Sequence, residues 1–277
     1  MKFTKIGTQG KTYLVFSLAA LTESSAPLAK AVLRSEEGIG ADGVLFLTPT
    51  LHADVRLTAF DREGKRTLSH EILYALATYL CYVAGLPIHE YEAETDEGIL
   101  PLRIRGGTPP LFCTIRGKCK RLYSDVRMDV KNTAGTYDIV RQTCTYAVFM
   151  TENIRSFDPD AVFHACALAS LPPVDGVVAV CREGEPSGDI VAMPRGDVSR
   201  YRLRLRMLRE ETFSPADAAG AVLCLLIARG EETYGREVAL CHDGGALLCR
   251  MGCDGRCRTS ATARVILRGT CDLPFGG

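Results

Sequence analysis

A helix with no polar face has to be surrounded by its own domain, and this chain carries one. Residues 214–228 read Ser-Pro-Ala-Asp-Ala-Ala-Gly-Ala-Val-Leu-Cys-Leu-Leu-Ile-Ala. Ser214 fits the N-cap, Pro215 the first helical position, and Asp217 completes a capping-box-like S-x-x-D. From Ala218 to Ile227 the body is apolar nearly all round, so the helix is predicted to lie inside a domain until Arg229-Gly230 stops it. A second helix is predicted over residues 69–83. It sets Ile72, Leu73, Leu76, Tyr79 and Leu80 on one stripe and ends at Ala84-Gly85-Leu86-Pro87.

Short segments rich in β-branched or alternating residues flank these helices: 12–16, 43–47, 54–60, 100–104, 146–150, 176–181, 200–208 and 238–240. The expected fold class is α+β, each half of the chain wrapping strands around one apolar helix. A length of 277 residues suits two domains. The segment 117–136 marks the boundary, with polar Gly117-Lys118-Cys119-Lys120-Arg121 and turn-rich Asn132-Thr133-Ala134-Gly135. The expected domains are 1–122 and 123–277, and the last strand can return to the first domain.

Lys plus Arg and Asp plus Glu number 33 each, so net charge supports no nucleic-acid partner. The N-terminus lacks an apolar signal core, and no apolar run approaches the roughly 20 residues that span a bilayer. A cytoplasmic protein with no membrane partner is the expectation. The 12 cysteines are irregularly spaced, which reads as reduced, buried thiols rather than a disulfide framework.

Met1-Lys2-Phe3-Thr4-Lys5, Gly38-Ile39-Gly40-Ala41-Asp42-Gly43-Val44, the stretch from Asp54 to Asp61 with Glu63-Gly64, and the helix ending Ala77-Thr78-Tyr79-Leu80 follow one another in a set order. In that order and spacing the chain resembles diaminopimelate epimerase over most of residues 1–87. Beyond that point the resemblance rests on strand order, the strand Arg202-Leu203-Arg204-Leu205-Arg206 ahead of the second helix, and total length.

The resemblance implies two similar domains, each a mixed barrel-like sheet around a central apolar helix, with a cleft between them. It implies racemisation of an α-carbon without a cofactor, and a possible homodimer. In that chemistry one cysteine thiolate removes the α-proton and a second cysteine thiol donates to the opposite face.

The resemblance also implies a cysteine at each helix start, where the macrodipole stabilises a thiolate and a substrate carboxylate. This sequence has neither. The family's C-G-N-G corresponds to Ser69-His70-Glu71-Ile72, or, one residue along, places His70 at the cysteine. The family's A-C-G-T-G corresponds to Ala216-Asp217-Ala218-Ala219-Gly220, or to a stretch one or two residues earlier, and neither register places a cysteine there. Among the ligand-holding positions, Lys11 and Asp61 stand where the family has asparagine. Thr143-Cys144-Thr145-Tyr146 replaces G-N-P-H, and Arg209-Glu210-Glu211 replaces E-R-G. Glu71 and Asp217 fall in first helical turns, where they occupy the dipole position of a substrate carboxylate.

The candidate catalytic residues are therefore Ser69, His70 and Asp217, and the candidate ligand-binding residues Lys11, Asp61, Glu71, Arg209 and Glu210, with no metal and no cofactor. Ser69 and Ser214 read first as N-caps rather than nucleophiles. His70 can act as acid or base near neutral pH with Asp217 as its partner. The related phenazine-biosynthesis isomerases are similar in using histidine and acidic residues, and Ser69-His70 and Ser214-Pro215-Ala216 resemble that branch. One expectation is a protein that has lost two-cysteine chemistry and binds a small amino-acid-like or anionic metabolite or a partner. A second is an active cofactor-independent isomerase using His70, Glu71 or Asp217. A third uses Cys81 or Cys144 with Cys224.

Two further features call for a reading. Cys249, Cys253 and Cys257 are spaced C-x3-C-x3-C, which no standard zinc knuckle uses. Asp254-Gly255 instead signals a hairpin with Cys253 at its turn. Arg202, Arg204 and Arg206 share one strand face, either solvated or forming an anion-binding wall.

Overall fold

A computed structural model describes residues 1–20, 25–34, 38–87, 90–106, 110–130, 133–168, 173–183, 198–208 and 214–272. Two compact units divide the chain, Met1–Thr114 with Ala261–Gly277, and Ile115–Ser260.

The first unit contains β1 (Lys2–Thr8), β2 (Lys11–Ser17), α1 (Ser25–Leu33), β3 (Gly43–Thr48), β4 (Val55–Asp61), α2 (His70–Tyr82), β5 (Glu90–Thr95), β6 (Gly98–Arg105), the start of β7 (Leu111–Lys118), and β16 (Arg264–Thr270). Its strands are ordered β16-β1-β2-β3-β4-β5-β6-β7. The β2–β3 and β4–β5 pairs are parallel. A parallel pair needs a crossover, usually a helix, and α1 and α2 lie in those two crossovers. The strands wrap around α2, which packs against β1, β2, β3, β6 and β16.

The second unit repeats this plan with β8 (Lys120–Val130), β9 (Thr133–Arg141), β10 (Thr145–Met150), α3 (Pro159–Leu168), β11 (Gly176–Arg182), β12 (Ser199–Met207), α4 (Pro215–Ala228), β13 (Glu237–His242), β14 (Gly245–Met251) and β15 (Arg256–Ala261). The β10–β11 and β12–β13 pairs are parallel across α3 and α4. α4 packs against β8, β9, β10, β11 and β14, and its residues from Pro215 to Leu223 are all buried. Each apolar helix is thus enclosed by strands of its own unit, as its lack of a polar face requires.

The two shorter helices cover the opposite sheet faces. Phe3, Phe16, Phe46 and Phe60 stand in a row across β1 to β4, with successive ring centroids 5.8–6.0 Å apart, and Leu28, Ala29, Val32 and Leu33 of α1 pack on them. In the second unit Tyr137, Phe149 and Phe157 meet Val162 and Cys166 of α3. Strands buried on both faces read as apolar runs without alternation, which is the pattern of Leu14-Val15-Phe16 and Val177-Val178-Ala179-Val180.

The glycine-rich stretch that follows α1 folds back onto it. Gly38 N donates to Arg34 O at 3.1 Å, Ile39 N to Val32 O at 2.9 Å and Gly40 N to Val32 O at 3.2 Å, satisfying carbonyls that the end of a helix leaves open. Gly40 holds φ 71°, a left-handed conformation that costs glycine nothing.

Two sequence expectations change, and the placing of the two long helices holds. α1 and α3 join the two expected helices. The segment 117–136 is not a plain polar connection, since β8 runs through it and pairs with β9. Its Lys120, Arg121 and Arg127 suit an edge strand, where charge blocks unwanted pairing, and the register shifts around Tyr123 bulge it. The two long helices span His70–Tyr82 and Pro215–Ala228, with Ser69 and Ser214 as their caps.

Candidate functional site

In the first unit, the approach to α2 is set by the turn after β4. Asp61 Oδ1 accepts from Glu63 N and Lys65 N, both at 2.9 Å, and Gly64 supplies φ 71°. Asp61, a candidate ligand residue by sequence, is used by this turn. The chain then reaches Ser69, whose extended backbone and Oγ, accepting from Ile72 N at 3.3 Å, cap the helix.

His70 and Glu71 follow in the first turn with no solvent exposure. His70 Nδ1 lies 2.5 Å from Thr114 Oγ1, and its ring lies near that of Tyr74. Tyr13 of β2 lies at the same corner, near Ser69 and Glu71. Its phenol is pushed well above the ordinary range, first by burial and then by the Glu71 charge. Asp42 adds to this and Ser69 opposes it. Lys11 lies at the start of β2, opposite Thr8 across the Gln9-Gly10 turn, half-buried.

In the second unit, Ser214 Oγ accepts from Asp217 N at 3.2 Å, and Pro215 takes the first helical position. Asp217 is 4% exposed. One turn on, Gly220 shares its face, since residues three apart on a helix are neighbours. A Cβ on Gly220 would stand 2.1 Å from Gln142 Oε1 and 2.9 Å from Cys119 Sγ, so both side chains press on the helix beside Asp217. The Cys119 thiol is driven far up by burial, with Cys257, Cys224 and Asp217 adding to the effect. Cys257 is likewise raised, first by a hydrogen bond with Cys249. These thiols stay protonated and serve as small packed groups. Arg209 and Glu210 lie outside the described residues.

The cysteines considered for the third reading sit elsewhere on their elements. Cys81 is in the last turn of α2 and Cys224 is in the body of α4. Burial raises both thiols. Cys144 belongs to the turn before β10, where its carbonyl accepts from Gln142 N at 3.0 Å.

β14 and β15 form the expected hairpin, with Cys249 and Cys257 buried and Cys253 exposed at its turn. Among the described residues no group of three His, Cys, Asp or Glu side chains could hold a metal ion. The arginine face is solvated and partnered within its own unit. Arg202 Nε meets Glu183 Oε1 at 2.6 Å, Arg206 Nε meets Asp160 Oδ1 at 2.8 Å, and Arg204 Nη1 donates to Arg155 O at 3.3 Å. No helix among the described residues is long and apolar enough to cross a membrane.

Sequence reasoning missed Tyr13 and Thr114 at the start of α2, and Cys119 and Gln142 beside Asp217. A tyrosine within an otherwise apolar strand was the one visible signal, because a buried hydroxyl needs a partner. Thr114 carried none.

No protein-family model matches the chain. Over 109 residues it is 39% identical to the diaminopimelate epimerase of Methanocella arvoryzae, a match spanning 38% of this chain and 39% of that protein. Solved structures match over nearly the whole length at low identity. The Bacillus anthracis phenazine biosynthesis protein of the PhzF family has a TM-score of 0.75 and 12% identity, covering 99% of both chains. A hydroxyproline epimerase from Agrobacterium vitis, with bound trans-4-hydroxy-L-proline, has a TM-score of 0.61 and 12% identity, covering 97% of this chain and 90% of that one. Over the matched 109 residues the chain is similar to diaminopimelate epimerase, and over nearly its whole length it shares the α+β fold of these solved structures.

Proposed function

We propose that this protein is a cofactor-independent isomerase or epimerase of a small amino-acid-like or other anionic metabolite. In this reading non-thiol groups, His70 in the first unit and Asp217 in the second, carry the proton. One observation carries the reading: both helix starts hold a buried, titratable side chain that is not a thiol. Burying an imidazole and a carboxylate is costly unless the surroundings are arranged for them. The Thr114 bond holds the His70 ring in one orientation, which general acid–base catalysis requires of its proton carrier. The similarity to epimerases and to a phenazine biosynthesis protein supports the reaction class. The substrate is proposed only as far as the class.

One observation favours a second reading, in which the protein binds its metabolite or a partner without turning anything over. Glu71 is fully buried at the second position of α2 and places a carboxylate where the helix dipole would otherwise attract that of a substrate.

Incubation in deuterium oxide with a panel of amino acids, diaminopimelate included, separates the two when α-proton exchange is followed by mass spectrometry. The isomerase reading expects exchange at one compound, lowered about 10²–10⁴-fold by His70→Asn or by Asp217→Asn. Exchange that survives both substitutions refutes those roles, and no exchange across the panel leaves the binding reading.

A further inference from the structure

We propose that Asp42 and Asp175 are equivalent positioning residues, one in each unit, that tie the strand facing a central helix to the chain leading into that helix. The inference rests on the isomerase reading and adds to it two carboxylates outside the helix starts.

The two units repeat a short pattern at corresponding places. Tyr13 with Gly43, and Tyr146 with Gly176, head the parallel β2–β3 and β10–β11 ladders. The residues just before these pairs are Thr12 with Asp42, and Thr145 with Asp175. The partner strand has not yet begun there, so each threonine amide takes a side chain as its acceptor. Thr12 N donates to Asp42 Oδ2 and Asp42 N to Thr12 O, both at 2.8 Å. Thr145 N donates to Asp175 Oδ2 and Asp175 N to Thr145 O, again both at 2.8 Å. Each aspartate closes the open end of its ladder with one carboxylate bond and one backbone bond.

The glycines complete the match. A Cβ on Gly43 would stand 3.0 Å from Tyr13 Cδ1, and one on Gly176 3.3 Å from Tyr146 Cδ1, so each ring lies against bare backbone. Leu14 and Phe16 join the cluster under α1, and Ala147 and Phe149 the cluster under α3. Successive strand residues point to opposite faces, so Tyr13 and Tyr146 face the sides covered by α2 and α4, which pack on β2 and β10.

Strand register carries each clamp to a helix start. Gly43 pairs with Asp61 across the antiparallel β3–β4 ladder, and Asp61 is the last residue of β4 before the turn into α2. Arg62, in that turn, donates from Nη2 to Asp42 Oδ1 at 2.8 Å and from Nε to Ala41 O at 2.9 Å. In the second unit Gly176 pairs with Met207, the last residue of β12, and Leu208 N donates to Asp175 O at 2.8 Å. Each aspartate therefore holds both the strand that faces the helix and the chain on its way to Ser69 and His70, or to Ser214 and Asp217. They differ in one respect. Asp42 reaches the lead-in through its second carboxylate oxygen, Asp175 through its backbone carbonyl.

That difference provides the test. Asparagine has one acceptor oxygen and an amide nitrogen that only donates. At position 175 it keeps the bond from Thr145 N and leaves the backbone carbonyl untouched. At position 42 it can accept from Thr12 N only by turning its amide nitrogen toward Arg62. Amide hydrogen exchange at Thr12 and Thr145, and kcat and KM for α-proton exchange, are measured in the full chain. Asp42→Ala should speed exchange at Thr12, and Asp175→Ala at Thr145, by about fivefold, the weight of one net hydrogen bond. Both should lower kcat about tenfold with KM within about twofold. Asp175→Asn should return to wild type in both readouts, whereas Asp42→Asn should restore Thr12 and leave kcat low. If the alanine variants fail to fold, the asparagine variants carry the test, since only Asp42→Asn should lose kcat.

Unchanged exchange at either threonine amide in its alanine variant overturns the equivalence of the two clamps. Faster exchange with kcat and KM both unchanged overturns the positioning role, and so does an Asp42→Asn protein with wild-type kcat. If the wild-type chain exchanges no compound, the isomerase reading fails and the catalytic part of this inference with it, while the two threonine amides still report whether the clamps hold.

Discussion

Gly38→Ala is a direct test of whether the glycine-rich stretch and α1 are locked together. An added Cβ would stand 2.4 Å from Ala31 O and 2.7 Å from both Arg34 O and Val32 O. All three are backbone atoms at the end of a helix, so no side chain can turn aside to make room. Relief requires lifting the stretch off α1, which stretches Gly38 N to Arg34 O and Ile39 N to Val32 O, now 3.1 and 2.9 Å. Overpacking of this kind costs about 1–3 kcal/mol, and each net hydrogen bond lost about 1 kcal/mol. The lower entropy of the unfolded alanine chain returns only about 0.4–1 kcal/mol. The expected net loss is about 3 kcal/mol, or about 10 °C in the melting of the first unit. The chain has no tryptophan, so far-UV circular dichroism during heating is the suitable probe, with the second unit's transition expected to stay in place. Gly106→Ala is the control, because nothing lies within 4 Å of its added Cβ. A Gly38→Ala protein melting within about 1 °C of wild type would refute the reasoning.

Two further outcomes follow from the second unit. His242 is buried, accepts from Gly244 N at 3.1 Å, and has its pKa pushed down to about 4 by that burial. Between about pH 6.5 and 4 the unfolded chain binds a proton that the folded one does not, so stability rises with pH across this window and is lost on acidification. The loss approaches about 3 kcal/mol, and His242→Asn, which keeps a hydrogen-bond acceptor, should flatten that part of a urea-midpoint titration. A variant with wild-type slope would exclude His242 as the source. In the native protein at pH 8, iodoacetamide should label exposed Cys253 first and leave Cys119 and Cys257 unmodified. Peptide mass spectrometry showing Cys257 labelled as fast as Cys253 would contradict its burial.

What the sequence made legible was what local chemistry determines. Both long helices could be placed to within a residue, because Ser69 and Ser214 cap them and their apolar bodies leave no choice of environment. α1 escaped because it is short and carries Pro27 near its start, and α3 because its apolar residues form no clear stripe. β8 read as a connection because a charged, bulged edge strand looks like a loop in composition. Pairings such as β1 with β16 join opposite ends of the chain and leave no local trace. Of the candidate site, His70 and Asp217 were proposed from the helix starts, whereas the place of Tyr13 depends on which strand lies beside α2. Asp61 was placed among ligand residues although Asp61-Arg62-Glu63-Gly64 is itself a turn signal, and the turn is where its carboxylate is used.

The repeated topology explains why residues of different chemistry occupy equivalent places. α2 lies in the second parallel crossover of the first unit and α4 in the second crossover of the other. Each helix begins with a serine cap and carries an acid in its first turn, so the fold builds the same polarised helix start twice. The fold fixes the position but not the group placed there. What surrounds each start differs: Tyr13, Ser69 and Thr114 around α2, Gln142 and Cys119 against Gly220 of α4. Glycine inside a helix costs about 0.5–1 kcal/mol relative to alanine. Ala218, Ala219 and Ala221 flank the α4 glycine on other faces of the helix, while at its own face a Cβ would stand 2.1 Å from Gln142 Oε1. The absence of a Cβ admits a glutamine amide one turn from Asp217.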